Sequence, residues 1–436
     1  VRLCIYNILT LYHKKKRKAT CFSMAVHKSL VIHVCAPHNG IMNHTSAADI
    51  VIVGGGLAGA LCALTLASVG ARCIVLEKSR FEDLVTRDRR TTAINSGAMP
   101  LLQELGVWDS MVSGAGSIRR IEILSDGARC TFDDALHDLR PFGYIVDNVV
   151  WRQILRDAID QHPLIRWVDG AGVTGLTMET TGITAVDATG QSWRAQLLIA
   201  ADGRESAVRA LAGMDVHRHV YPESAMVGIV RHAQPHHETA FEIFLPTGPL
   251  ALLPLKDPHV SSFVWTEPTE YVAARLQGEE DLFLKALSAQ FGGYLGDMAL
   301  LGRPQAWPLT RILASRYVQD RVVLLGDAAH AIHPIAGQGF NLTMRDLVAL
   351  RRALQPRLNV GLPLKEGLSA YNRLRQVDAR VMAEATHVLN AVFLSSGMLP
   401  VAVRRVGLTA LNRLPFLKKP FVRHATGVSR LAQLGL

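Results

Sequence analysis

Residues 48–78 read ADIVIVGGGLAGALCALTLASVGARCIVLEK, and few folds accept such a stretch. A short apolar run stops on three glycines, an apolar run of helical length follows, and a second short apolar run ends on an acid. The pattern predicts a strand over 49–53, a tight turn, a helix over 57–69 and a strand over 72–77, which is one βαβ unit. Within Gly54-Gly55-Gly56-Leu57-Ala58-Gly59 the three spaced glycines have separate uses. Gly54 allows the turn, Gly56 lets a pyrophosphate approach the backbone, and Gly59 lets helix and strand pack closely. Phosphates would rest on the positive end of the helix. Glu77, 23 positions after Gly54, can accept from a ribose hydroxyl.

The spacing alone is a weak signal. Gly170-Ala171-Gly172-Val173-Thr174-Gly175 repeats it, but the following LTMETTGITAVDATG is β-branched and broken by glycine. No helix starts there, so the segment is expected to be a loop between strands. Two other turns do share the setting of the first. QLLIA ends on Ala201-Asp202-Gly203, with Ser206 placed to cap a short helix. VVLLGDAAHAIHPIAGQGFN, residues 322–341, ends a strand on Gly326-Asp327 and opens a helix after two further glycines. Ligands of open α/β sheets gather beyond the carboxyl ends of the strands. Three glycine–acid turns at that edge point to one extended dinucleotide.

Between these turns the chain changes character. SIRRIEILSDGARCTF alternates as a hairpin with Asp126-Gly127 at its tip. Residues 216–266 are strand-rich, two helical segments follow, and from Gly337 onward the chain is helical. The fold class expected is therefore α/β: a discontinuous Rossmann-like nucleotide domain with an inserted antiparallel β-sheet domain and a C-terminal helical segment.

Charge is concentrated at the ends. Residues 1–48 and 385–436 each carry seven Lys/Arg and no Asp or Glu, which accounts for the net charge of +10. A polybasic end suits an anionic lipid surface or an acidic partner. Nucleic acid is not expected, because no reader motif or aromatic platform accompanies the charge. No apolar run reaches the 18 or so residues a membrane span needs. The opening, Val followed by HKKKRKATCFS, reads as a start-site artefact with Met42 as the true start, or alternatively as an organelle transit peptide. The six cysteines show no paired spacing, so free thiols in a reducing compartment are expected.

The segments ADIVIVGGGLAGA, RDRRTTAINS, FGYIVDN..WR, LLIAADGRESAVR, FEIFLPTGPLALLPL and VVLLGDAAHAIHPIAGQGFNL..RD together resemble the FAD-dependent aromatic hydroxylases of the p-hydroxybenzoate hydroxylase type. Within them the chain looks most like the ubiquinone-biosynthesis hydroxylases, over about residues 48–385. The resemblance implies FAD as cofactor. Gly54, Gly56, Gly59 and Glu77 would hold its ADP half, with Arg90 and Arg152 as flavin-side arginines. Asp202 belongs to the second FAD turn, and Asp327 would hydrogen-bond the ribityl chain. Pro334, Gly337 and Gln338 would position substrate and flavin through their backbones, with Gly339 also on the isoalloxazine edge. Thr343 stands where the resemblance leads one to expect glycine.

The implied domains are residues 1–47 as a basic extension; 48–115, 145–215 and 315–385 as the FAD domain; 116–144 and 216–314 as the substrate domain; and 386–436 as a basic helical tail. The implied activity is hydroxylation of a polyprenylated phenol with O₂ through a flavin hydroperoxide. NAD(P)H or a protein electron donor would serve as transient reductant. FEIFLPTGPLALLPL would roof an apolar substrate cavity. The location implied is cytoplasmic and peripheral to the inner membrane, in a lipid-biosynthetic complex, or alternatively the mitochondrial matrix side. Two other readings fit the same motifs: a same-fold reductase or dehydrogenase, and a flavin-stabilised non-catalytic member of such a complex.

Two features lie outside that frame. His330 and His333 have a spacing open to metal binding, but no carboxylate or cysteine completes a set, so no metal site is expected. His236 and His237 are expected to be exposed. In the tail, Val403, Val406, Ala410 and Leu414 share one helical face, which suits packing on the body as well as an interfacial membrane helix.

Overall fold

The computed structural model describes residues 48–427, apart from positions 89, 139, 396, 415, 417, 420, 421, 424 and 425. The expected start at Met42, and Cys4, Cys21 and Cys35, lie outside the described residues.

The apolar run before the first glycines is the strand Ala48–Val53, and the helix Leu57–Ala67 and strand Cys73–Leu76 complete the βαβ unit. Ten of the eleven residues of that helix are buried, as expected of a helix that is apolar all round and covered on all sides. The strand lies between Cys73–Leu76 and Ser192–Ala200 in a sheet ordered 318–319, 322–324, 192–200, 48–53, 73–76, 165–168. The core pairings are parallel and in step: Val53 lies opposite both Leu76 and Ala200, and Ala200 lies opposite Leu324. Continuous apolar strands such as Val322–Leu324 belong in a sheet covered on both faces. The matched register brings the three strands that carry the glycine turns to an end on one line.

A second, nine-stranded sheet is built from the hairpin Arg120–Ser125 and Ala128–Asp133 and from the strands between Val216 and Ala314, with His330–Ala331 at its edge. Asp126 and Gly127 take positive φ at the hairpin tip, as the turn requires. The antiparallel expectation needs one correction. Thr239–Leu245 pairs with Arg120–Ser125 in parallel, Ile123 opposite Glu242, because the two strands come from separate passages of the chain.

The faces of this sheet differ sharply. Met226, Val230, Phe241, Ile243, Leu250, Leu252, Phe263 and Trp265 form one face and are sealed by Val272, Phe283, Leu287 and Phe291 from the helices behind. On the other face Ile123, Glu242, Ala251, Val264 and Val227 stand in one cross-strand row, each only partly buried.

His236 also departs from expectation. It is buried, with Nε2 near the carbonyls of Leu255 and Asp257, whereas His237 is exposed. The chain turns sharply here, His237 and Glu238 both having positive φ, and that turn folds the ring inward. Cys62, Cys73 and Cys130 are buried free thiols.

Helix Leu368–Leu394 runs without a break past position 386, and Met398–Arg413 folds back onto the hairpin. Arg404 fixes that return. Its guanidinium donates to Asp126 at 2.8 Å and to the carbonyls of Val392 and Ser395. The docked side of the helix therefore carries Arg404 and Leu408, while Val403 and Val406 of the apolar stripe face outward. No helix among the described residues is long and apolar enough to cross a membrane.

Candidate cofactor and substrate site

The Gly54 turn has φ +104, and a Cβ there would lie 2.4 Å from the Ala201 carbonyl oxygen. The first turn thus rests directly on the second. A Cβ on Gly59 would come within 1.8 Å of the Gly54 carbonyl oxygen, so the helix closes on the turn only if that position is bare. Gly56, at the N-cap of the helix, has nothing within 4 Å of its Cβ direction. The carboxylate of Glu77 braces the turn, Oε2 accepting the Gly55 amide at 2.6 Å and Oε1 the Ser79 amide at 2.9 Å.

Arg152 stands across a small cleft lined by Gly55, Gly56, Leu57 and Trp167. One terminal nitrogen donates to Asp88 at 2.8 Å, while Nε and Nη1 are buried without a hydrogen-bond partner. Two orphaned guanidinium donors beside a bare helix N-terminus suit a phosphate oxygen. Arg90 grips the same Asp88 with two nitrogens, at 2.8 and 2.9 Å, and lies 4.8 Å from the centre of the Trp307 ring. Burial pushes the Asp88 carboxyl up, but Arg90 and then Arg152 outweigh it and hold the group well below the ordinary carboxylate range.

In the second turn the Asp202 carboxylate accepts from the Ser206 hydroxyl and the Val208 amide, so it caps the helix Ala207–Leu211. What that turn presents at the strand edge is therefore its backbone. In the third turn Asp327 is half-exposed and within 3.9 Å of Arg204. Gly326 has φ +59, and its Cβ direction points at Ala58 of the first helix, 3.3 Å away, and at Thr343. The three turns are thus linked by direct packing: first to second through Gly54 and Ala201, first to third through Ala58 and Gly326.

Thr343 is buried beneath Gly326, its Oγ1 3.2 Å and its Cγ2 3.3 Å from where a Cβ on that glycine would lie. Its bulk fills the hollow under the third turn. One helical turn later Asp346 accepts the Gly326 amide at 3.2 Å and pairs with His330 and Arg375, each at 2.6 Å. Arg375 also bonds Asp378, which takes Arg345 at 2.9 Å. Burial raises the Asp346 carboxyl, but His330 and Arg375 reverse the sign and leave it lowered. His330 is thus a packed, hydrogen-bonded residue. Among the described residues no group of three or more His, Cys, Asp or Glu is arranged to hold a metal.

The helix Gln338–Leu358 opens at Gly337, which is left-handed at φ +62 and donates its own N–H back to the Pro334 carbonyl at 3.0 Å. That N–H is therefore not among the outward donors. Gly339, in the first turn of the helix, opens onto clear space. Asn341 ties this helix start to the strand Thr91–Asn95. It accepts the Asn95 amide at 2.9 Å and donates to the carbonyls of Ala93 and Gly337. The same strand reaches the open face of the large sheet, where the Thr91 hydroxyl donates to Ser262 at 2.9 Å. The helix start and the open sheet face are two sides of one junction.

Asp346, Asn341 and Glu242 escaped assignment from sequence. In the sequence Arg345-Asp346 stands out only as the end of the segment that begins at Val322. Glu242 had one legible signal, an acid in phase with apolar neighbours in FEIFL.

The bare cradle, the two orphaned Arg152 donors and the clear space at Gly339 on the helix start fit the two ends of FAD. Matches to known proteins point the same way. A family model described as FAD binding domain matches residues 47–386. Ubiquinone hydroxylase UbiL of Rhodospirillum rubrum is 36% identical over 390 residues, covering 88% of this chain and 90% of that protein. The 3-demethoxyubiquinol 3-hydroxylase of Escherichia coli is 34% identical over 395 residues, covering 87% and 98%. Among solved structures, p-nitrophenol 4-monooxygenase PnpA from Pseudomonas putida superposes with a TM-score of 0.73 at 20% identity, covering 86% of this chain and 96% of that one, a likeness of fold.

Proposed function

The chain belongs to the FAD binding domain family and is an FAD-dependent monooxygenase, and from that premise we propose that it hydroxylates the ring of a polyprenylated phenol on the way to ubiquinone. The observation that carries this reading is the junction itself. Three glycine turns in packing contact face a sheet surface that is apolar, partly accessible and tied to the helix start by Thr91–Asn95. A mostly apolar recess with few polar groups suits a phenol bearing an isoprenoid tail.

The chemistry FAD supplies when bound and reduced is activation of O₂ for transfer of one oxygen to an electron-rich ring. The remaining work is the protein's. Gly54, Gly56 and Gly59 would admit the pyrophosphate to the helix N-terminus, with Arg152 beside it, and Arg90 would stand on the flavin side. Glu77 and Asp202 hold their turns in shape, and Asp327 would face the ribityl chain. The helix start at Gln338 and Gly339, carrying about half a positive charge, would stabilise negative charge on the isoalloxazine edge of bound FAD. Pro334 and Gly337 fix that helix start and border the ring to be hydroxylated. Two electrons per turnover come from NAD(P)H or a protein donor, since one oxygen atom enters the ring and the other leaves as water.

A membrane-bound substrate also needs a docking surface. Met398, Val403, Val406 and Phe416 are exposed, Met398 at 92%, with Arg405 and Arg413 exposed on the same helix. Such a surface suits peripheral binding to an anionic bilayer, at the cytoplasmic face of an inner membrane or the mitochondrial matrix side.

The test is oxygen-18 gas supplied to purified, reduced enzyme with a short-chain prenylated phenol. One labelled hydroxyl on the ring is expected. Consumption of reductant without labelled product would identify a reductase instead, and a yellow protein that never bleaches would identify a non-catalytic subunit.

A further inference from the structure

Glu242 is an acid on the accessible face of the large sheet. Its row runs Ile123, Glu242, Ala251, Val264, Val227 across the strands, and the next row holds Leu253, Ser262 and Ile229. Its neighbours along the same strand are apolar too: Ala240, packed in a cluster with Leu253, Ala93 and Phe393, and Phe244, stacked on Phe393. Other acids of this sheet differ from it: Glu223 is more fully buried, with Oε2 unpartnered and its carboxyl raised by burial. Glu122 is wholly buried yet paired with Arg120 and Arg129, and Glu267 is paired with Arg275. Glu242 makes no hydrogen bond or ion pair with any described residue.

Burial alone pushes its carboxyl up to about 7, and no charged group on any neighbouring element acts on it. Yet the residue keeps accessible surface, so a ligand can reach it on the open face of the sheet. An unpartnered carboxyl among apolar side chains is costly unless a ligand supplies its partner. The apolar cluster that holds Ala240 and Leu253 also takes in Ala93, whose Cβ lies 2.9 Å from the Cβ direction of Gly337.

We propose that Glu242 is a catalytic residue of the substrate recess, where its carboxylate receives the ring hydroxyl of the phenol and takes up its proton. The inference rests on the hydroxylase reading above. In the step, the phenol O–H bond breaks, its electron pair stays on the phenol oxygen, and the proton forms an O–H bond on a Glu242 oxygen. The ring gains electron density where oxygen is to be added, and the proton returns to water when product leaves. A base that titrates near the working pH is well matched to this task. The surrounding apolar rows take the ring and tail and give no competing donor or acceptor beyond Ser262, whose oxygen already accepts from Thr91.

The experiment uses the FAD-loaded full chain, a 2-prenylphenol and its methyl ether, with Glu242→Gln and Glu242→Asp. Binding is read from the flavin absorbance change between pH 6 and 8.5, and hydroxylation from single turnovers after photoreduction. The wild type should prefer the phenol over the ether by about tenfold or more, with a single-turnover rate that rises through an inflection near pH 7. Glu242→Gln should lose both the preference and the inflection and slow hydroxylation by about 100-fold, while binding the ether as before. Glu242→Asp should keep the inflection. A Gln variant with unchanged preference and pH profile overturns the proposal. So does a wild type with neither preference nor inflection, which decides the matter even if the variants fail to fold. If the wild type forms no hydroxylated product yet shows a Glu242-dependent preference for the phenol, the reaction reading falls and recognition by Glu242 stands.

Discussion

Asp346 accepts the backbone amide of Gly326 from twenty residues further along the chain, at 3.2 Å, and has no exposed atoms of its own. The turn that faces the cofactor is thus held from below by a carboxylate that is paired with Arg375 and hydrogen-bonded to His330. Removing that carboxylate leaves the buried Arg375 guanidinium with Asp378 alone and His330 without its acceptor. Asp346→Ala should lose about 3–5 kcal/mol of stability, read by urea denaturation. Added FAD should recover part of the loss by mass action. A change under 1 kcal/mol would mean the network contributes little.

The glycines of the first turn should separate folding from binding. At Gly59 a methyl group meets the Gly54 carbonyl at 1.8 Å, so Gly59→Ala should give insoluble or cofactor-free protein. At Gly56 a methyl group meets no protein atom within 4 Å, so Gly56→Ala should fold and melt like the wild-type apoprotein yet bind FAD more weakly. Equal loss of fold in both would contradict the assignment of that space to a ligand.

Arg152 can be removed without orphaning Asp88, which keeps Arg90 and Asn148 as donors. Arg152→Met should therefore leave the protein folded while raising the Kd for FAD. Loss of charge-assisted bonds worth about 1.5–3 kcal/mol corresponds to about 10- to 150-fold. Titration of FAD into apoprotein, followed by flavin fluorescence, measures it directly.

His333 gives a pH dependence with a defined sign. Burial, and then the neighbouring His387, push its imidazole down to about 4, and neither ring nitrogen has a partner. The unfolded chain therefore takes up a proton near 6.5 that the folded one refuses. Stability is full above pH 6.5 and falls as the pH drops towards 4, by about 3 kcal/mol on this account. His333→Phe should flatten that part of the profile. An unchanged slope between pH 6.5 and 4.5 would rule the group out.

The outward stripe of the last helix can be tested apart from the site. Val403→Glu with Val406→Glu should abolish sedimentation with anionic vesicles while leaving the melt and FAD content as they were, because both side chains are already exposed, at 59% and 69%. Arg404→Ala, by contrast, should loosen the helix from Asp126 and lower the melting temperature.

What was legible in the sequence was local. The three turns were readable because glycine, acid and strand end are neighbours in the chain, and their matched register follows from parallel pairing. The Asp346 network was not, because it depends on two helices meeting at Arg375 and Asp378. His236 looked exposed because a polar pair in a loop normally is, and only the positive φ of His237 and Glu238 turns it inward. The tail stripe was seen correctly as apolar, but which side docks was decided by Arg404 reaching a hairpin tip 278 residues earlier.

Thr343 and Gly326 share one small volume, so neither is free to change by itself. A methyl group added at 326 has nowhere to go while threonine stands beneath it, and a glycine at 343 would leave the third turn over a hole. Anyone grafting this turn into another scaffold, or replacing Thr343 by glycine, has to treat both residues as a unit.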